Sequence, residues 1–203
     1  MANKSLQHSS LTDNIFYRSM LAGNDAYNPE SESDDFLEEV VLSTTASSVT
    51  FSSLGTYATA GYKHLQVRWV ARASFSSTIM DLQMELNADT GNNYARHYLM
   101  GRGSDIISGS QTAKEYLIRM TYPAASSDAD AFGAGVVDLL DAFSSSKNTT
   151  ARALSGIAQT TNPRISLDSG LWLNTAAITS IRLWSDGSNL VAGSRFSLYG
   201  SKG

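Results

Sequence analysis

Cysteine is absent from the 203-residue chain, which excludes disulfide bridges, zinc–thiolate centres and cysteine nucleophiles together. Charge is scarce: Asp, Glu, Lys and Arg make up 17% of the residues, below the usual share of roughly a quarter, and Ser, Thr, Gly and Asn fill the difference. There is no excess of positive charge. The formal net charge is -4, so the counterion-release attraction behind nucleic-acid binding is missing, as is the pull of an anionic membrane. No stretch approaches the roughly 18 apolar residues of a spanning helix. The opening MANKSLQHSSLTDNIF has no continuous apolar core of the signal-peptide kind, so synthesis in a cytoplasm is expected. Only three prolines occur, Pro29, Pro123 and Pro163, and each falls between the strands read below, as a hydrogen-bonded ladder requires.

The chain changes character near residue 36. Residues 1–35 hold an acidic run, NPESESDDF, with Glu30, Glu32, Asp34 and Asp35. Ahead of it Ile15, Phe16, Tyr17, Met20, Leu21 and Tyr27 cluster. One or two helical turns over 13–21 are expected, capped by Thr12 or Asp13. This segment is too short to carry a core, yet too aromatic for an ordinary disordered tail. It is read as an arm that becomes ordered on a partner, with those six apolar residues making the contact.

From residue 36 to 203 the pattern is one of short, evenly spaced strands separated by Gly, Ser, Asn and Asp clusters. In KHLQVRWVARAS, Leu65, Val67, Trp69 and Ala71 share one face, and His64, Gln66, Arg68 and Arg72 the other. In IMDLQMELN, Leu82, Met84 and Leu86 point one way while Asp81, Gln83, Glu85 and Asn87 point the other. AKEYLIRMTY reads as one strand. FGAGVVDLLDAF reads as a strand because Gly133, Gly135, Val136 and Val137 disfavour a helix. The final strand places Phe196 and Leu198 in the core and Arg195, Ser197 and Tyr199 opposite, with Gly193 and Gly200 as bounding turns. Around ten such strands without a long helix predict an all-β fold, an antiparallel β-sandwich of jelly-roll type carrying an N-terminal extended arm.

Catalytic machinery is not evident. No G-x-S-x-G occurs, and His8, His64 and His97 lack partner motifs. Asp81 and Glu85 lie roughly 13 Å apart along one strand, too far for a glycosidase pair, and read as a solvated face balanced by Arg68, Arg72 and Arg96. NADTGNNY, 87–94, lacks the spacing of a calcium loop and reads as a turn. The Gly133–Gly135 pair lacks a dinucleotide-loop context. No catalytic, cofactor-binding or metal-binding residue is assigned. Among the tryptophans, Trp69 alternates in phase with core residues. Trp172 and Trp184 are the candidate contacts for a glycan, since aromatic faces stack on sugar rings.

The segments YKHLQVRWVAR, ELNADTGNNYARHYLMG, AFGAGVVDLLD, RALSGIA, SLDSGLWLNTAAITSIRLW and LVAGSRFSLYGSKG resemble, in that order, a group of small virion proteins of tailed bacteriophages described as minor structural, tail or tail-fibre proteins. The resemblance spans residues 40–203, and AGSRFSLYG is its most specific part. It implies a non-enzymatic virion component made in the host cytoplasm and used in many copies. The expected partners are other virion proteins of the tail, portal-proximal region or capsid, bound through the arm, together with copies of the chain itself in a homotrimer. Nucleic acid and membrane insertion are not expected. Two alternatives stand beside the tail reading: a capsid decoration or cement protein, and an adhesin that binds a host surface glycan. A glycan-degrading enzyme is a third, and needs a close carboxylate pair.

Overall fold

The computed structural model describes residues 34–202. They form twelve strands: β1 (Asp35–Val41), β2 (Ser48–Phe51), β3 (His64–Ala71), β4 (Ile79–Leu86), β5 (Tyr94–Arg102), β6 (Asp105–Lys114), β7 (Ile118–Pro123), β8 (Gly133–Leu140), β9 (Thr149–Ile157), β10 (Arg164–Trp172), β11 (Ile181–Trp184) and β12 (Arg195–Ser201). One short helix, α1 (Gly55–Thr59), links β2 to β3. Every strand pair is antiparallel. The strands build an eight-stranded sheet, β1-β12-β3-β8-β9-β10-β5-β6, and a four-stranded sheet, β2-β11-β4-β7.

Four pairings are nested: β1 with β12, β2 with β11, β3 with β8, and β4 with β7. First meets last, second meets next to last, and so inward, as when a long hairpin is folded over on itself. With the hairpins β5–β6 and β9–β10 set aside, the sheets read β1-β12-β3-β8 and β2-β11-β4-β7, the strand order of a jelly roll. The predicted fold class is therefore the observed one. Both extra hairpins extend the same sheet on the same side.

The core follows from the alternation seen in the sequence. Leu65, Val67, Trp69 and Ala71 of β3 are buried and face Phe196 and Leu198 of β12 and Val137 and Leu139 of β8 across the register. The small sheet answers with Leu82, Met84, Leu86, Ile118, Met120, Ile181 and Leu183. Trp69 ties the layers together: its Nε1 donates to Met120 Sδ at 3.2 Å, and its ring meets Tyr122 edge to face. Gly135 sits directly under the indole, where a Cβ would lie 2.5 Å from Trp69 Cζ2, so a glycine that spoke against a helix in β8 is also required by the tryptophan opposite.

Several expectations shift. The strand region opens at Asp35 rather than at 36, and the end of the acidic run is tied to it: Asp34 pairs with Arg68 at 3.0 Å, and Asp35 Oδ2 accepts from the Tyr62 hydroxyl at 2.8 Å. The rest of the arm, with Ile15, Phe16, Tyr17, Met20, Leu21 and Tyr27, lies outside the described residues. AKEYLIRMTY is two elements, the end of β6 and the whole hydrophobic part of β7. β6 escaped the pattern because DIISGSQTAK, on a sheet edge, has no buried face to enforce alternation. Pro123 is the last residue of β7, an edge strand, which tolerates it. Gly200 is not a turn. It lies inside β12, against Leu37 and Tyr62, and Ser201 is still paired with His64.

β12 sits between β1 and β3, so its inward side chains are covered on all sides. Phe196→Ala is expected to cost about 3–5 kcal/mol in denaturant unfolding, whereas Arg195→Ala, exposed beside it on the same strand, should stay within about 0.5 kcal/mol.

Candidate functional site

The eight-stranded sheet is twice as wide as its partner, and its added half, β9, β10, β5 and β6, continues past β7, the open edge of the small sheet, which packs against β9 and β10. The approach is closest at Gly170, where a Cβ would stand 2.4 Å from the Leu117 carbonyl oxygen. The inward positions here are polar. Arg96 of β5 and Asp168 of β10 form an ion pair at 3.2 Å, with side chains 3% and 0% exposed. Arg96 Nη1 also donates to the Arg119 carbonyl on β7, at 3.5 Å, and its guanidinium stacks 4.5 Å above the Tyr98 ring. A buried pair thus serves the backbone of an edge that would otherwise stay unpaired. Burial pushes Asp168 up to about 6, against the opposing pull of Arg96, the Ser166 hydroxyl and the Arg119 amide. Ser166 is engaged with Ser155 at 2.8 Å, and neither Asp168 oxygen has a well-aligned hydrogen bond among the described residues.

Beyond the β7 edge, the overhanging strands and the outer face of the small sheet enclose a cleft of about 130 Å³. Asp81 and Arg119 enter it from the small sheet, and Arg96, Tyr98, Gln111 and Arg164 from the large one. Arg119 is bonded to Asp81. Arg164 has no carboxylate within 4.0 Å among the described residues, and its Nη1 donates only to Met100 Sδ at 3.6 Å. Burial lowers the Arg164 pKa, and the charges of Arg102 and Arg119 push the same way while Asp81 opposes them. The Nε atoms of Arg96, Arg119 and Arg164 are all buried with no acceptor among the described residues.

The opposite, outward face of the same strands carries an apolar strip beside a polar row of His97, Ser169 and Arg152. Val136, Leu154, Leu167 and Leu99 are register partners on β8, β9, β10 and β5, and the three leucines are 47%, 54% and 50% exposed. Ile165 and Ile106 lie in the next row, either side of Gly101, 59% and 78% exposed. A row of leucines across adjacent strands is a contiguous strip, unlike scattered surface leucines.

The residues singled out in the sequence are placed as follows. Trp172 is 1% exposed, its ring stacked on Tyr94 and its Nε1 donating to Asp89 Oδ2 at 2.7 Å, so it has no free face for a sugar. Trp184 lies half-buried on the outer face of the small sheet, with the Arg182 guanidinium 5.4 Å from its ring centre. Asp81 and Glu85 are held by Arg119 and Arg182, not by Arg68, Arg72 or Arg96, and Glu85 and Gln83 are buried rather than solvated. His64 Nδ1 accepts the Asp141 amide at 2.9 Å, and His97 is exposed on β5. In the 87–94 loop Asp89 accepts from the Gly91 amide and the Asn93 side chain, a hydrogen-bonded turn. Among the described residues no three His, Asp or Glu side chains gather as a metal site needs. Arg96 and Asp168 were missed, although a signal existed: Arg96 is in phase with Tyr94, Tyr98 and Met100, and Asp168 with Trp172. On β5 a charge on the apolar phase marks a buried ion, whereas on β10 Asp168 shares its phase with Arg164, Ser166 and Gly170 and the leucines take the other.

No protein-family model matches the chain, and neither does any curated protein.

Because the Asp168 pKa is raised in the folded state, the fold holds a proton there that the unfolded chain has released. Its contribution to stability is fully present below about pH 4 and is lost as pH rises to about 6. Asp168→Asn cannot titrate. Denaturation midpoints measured across this range should therefore show the wild type losing stability relative to the variant between about pH 4 and 6, with parallel profiles outside it.

Proposed function

We propose that this chain is a non-enzymatic structural protein of a tailed-bacteriophage virion, a component of the tail or tail fibre. Residues 1–35 dock it to other virion proteins, and the jelly roll projects and packs laterally as a homotrimer. The observation that carries this reading is the apolar strip of Val136, Leu154, Leu167 and Leu99, which a lone domain would leave in water and an assembly buries. The fold agrees with it, since jelly rolls recur in viral capsid and lectin domains, and so does the resemblance of residues 40–203 to tail and tail-fibre proteins. The strip runs across central strands of the sheet, so copies can meet face to face, with Arg68 and Arg152 bordering the contact on the same face. A capsid decoration protein would use the same parts on a different lattice, and labelled particles imaged at the tail or over the shell separate the two.

Trp184 supports a second reading, an adhesin for a host glycan, because it keeps an outward face on the sheet away from the strip.

The assembly reading makes two demands. The double variant Leu154→Glu, Leu167→Glu should fold with an unchanged circular dichroism spectrum and sediment as a monomer where the wild type is trimeric; a wild type that is monomeric at high concentration contradicts it. A chain lacking residues 1–33 should fold but fail to enter particles, and normal incorporation contradicts the docking role of the arm.

A further inference from the structure

We propose that the arginine cleft between the small sheet and the overhanging β5–β6 hairpin is a binding site for an oxyanion, a carboxylate or phosphate group, gripped chiefly by Arg164 and Arg119. Three guanidiniums, of Arg96, Arg119 and Arg164, meet there in a chain whose net charge is -4. Among the described residues two carboxylates answer them. Asp81 is taken by Arg119 and Asp168 by Arg96, which leaves Arg164 without a counter-charge among the described residues and close to the like charges of Arg102 and Arg119.

The donors are as telling as the charges. Arg96 is 3% exposed and its Nε, like those of Arg119 and Arg164, is buried without an acceptor among the described residues. Those Nε atoms are closed to solvent, so a ligand in the cleft would meet the Nη donors of the arginines that line it, and such donors call for a group that supplies only acceptors. Carboxylate and phosphate do this, and the guanidinium fork matches both. Size limits what enters. A volume of about 130 Å³ takes the charged group and little more of a ligand. The remainder of any larger ligand stays outside. The group can therefore arrive free in solution, as phosphate, or as the acid of a sugar, and the two sources share one chemistry at the arginines. The site lies on the opposite face of β5 and β10 from the outward leucine strip.

Calorimetric titration of the full chain at fixed ionic strength tests this, with inorganic phosphate, glucuronate, and glucose as the uncharged control. Saturable binding of phosphate or glucuronate is expected, with none for glucose. Phosphate alone indicates a free or esterified phosphate, and glucuronate alone a sugar acid. Arg164→Gln should weaken binding at least about tenfold, as loss of a charge-assisted contact does, while leaving the melting temperature equal or higher because a like charge has gone. Arg164→Lys, which keeps the charge without the fork, should fall between. Arg152→Gln, on the outer surface beside Asp138, should bind as the wild type does. Absence of saturable binding for both anions, or equal binding by Arg164→Gln, overturns the proposal and leaves the arginines a purely structural role.

Discussion

The contact between Gly170 and the Leu117 carbonyl, closer than any side chain permits, is the constraint on which the inserted half of the molecule depends. A jelly roll of eight strands balances two sheets of four. Here one sheet has gained four strands and the other none, so the added strands must find something to cover. They cover the edge of β7. Sheet edges present unpaired backbone groups that natural proteins blunt by charge, by proline or by a covering element, and β7 has all three: Arg119, Pro123 and the strands curling past it.

Two polar features follow from the same closure. β10 comes so near to β7 that the carbonyl of Arg119 needs a donor from the sheet above, and Arg96 supplies it. A buried guanidinium requires a counter-charge, which Asp168 provides at 3.2 Å, and the desolvation of that carboxylate appears as its raised pKa. Past the edge, the overhanging strands face Asp81 and Arg119 on the outer side of the small sheet, and the arginine cleft opens between them. On the far side of these same strands the leucines face outward. Inserted strands therefore do two jobs, closing an edge inward and offering an apolar surface outward.

How much of this was legible in the sequence depended on whether a residue's environment is set by its own strand. Leu65, Val67, Trp69 and Ala71 alternate, and the burial of β3 was readable from that alone. Phe196 and Leu198 were readable for the same reason. The jelly-roll class followed from strand count and spacing. By contrast, the burial of Trp172 depends on Tyr94 and on Asp89, 83 residues away, and nothing local announces it. Asp81 and Glu85 pair with Arg119 and Arg182 because β7 and β11 flank β4, a fact of sheet order that no single strand contains. β6 has an edge position and a Ser, Gly and Thr-rich sequence, so neither face is apolar enough to show a period. The apolar strip was hidden for the opposite reason: on β10 Ile165, Leu167 and Leu171 take the outward phase while Ser166, Asp168 and Gly170 take the inward one, so alternation alone assigns the two faces the wrong way round.

The closure over β7 can be tested by hydrogen exchange in Gly170→Ala. The added methyl must push β10 away from the backbone of β7, so amides from Ile118 to Tyr122 should lose protection while those of β3 and β12, in the other half of the sandwich, keep theirs. Unchanged protection along β7 in a folded variant would contradict the closure, because it would mean that the inserted strands are not what covers that edge.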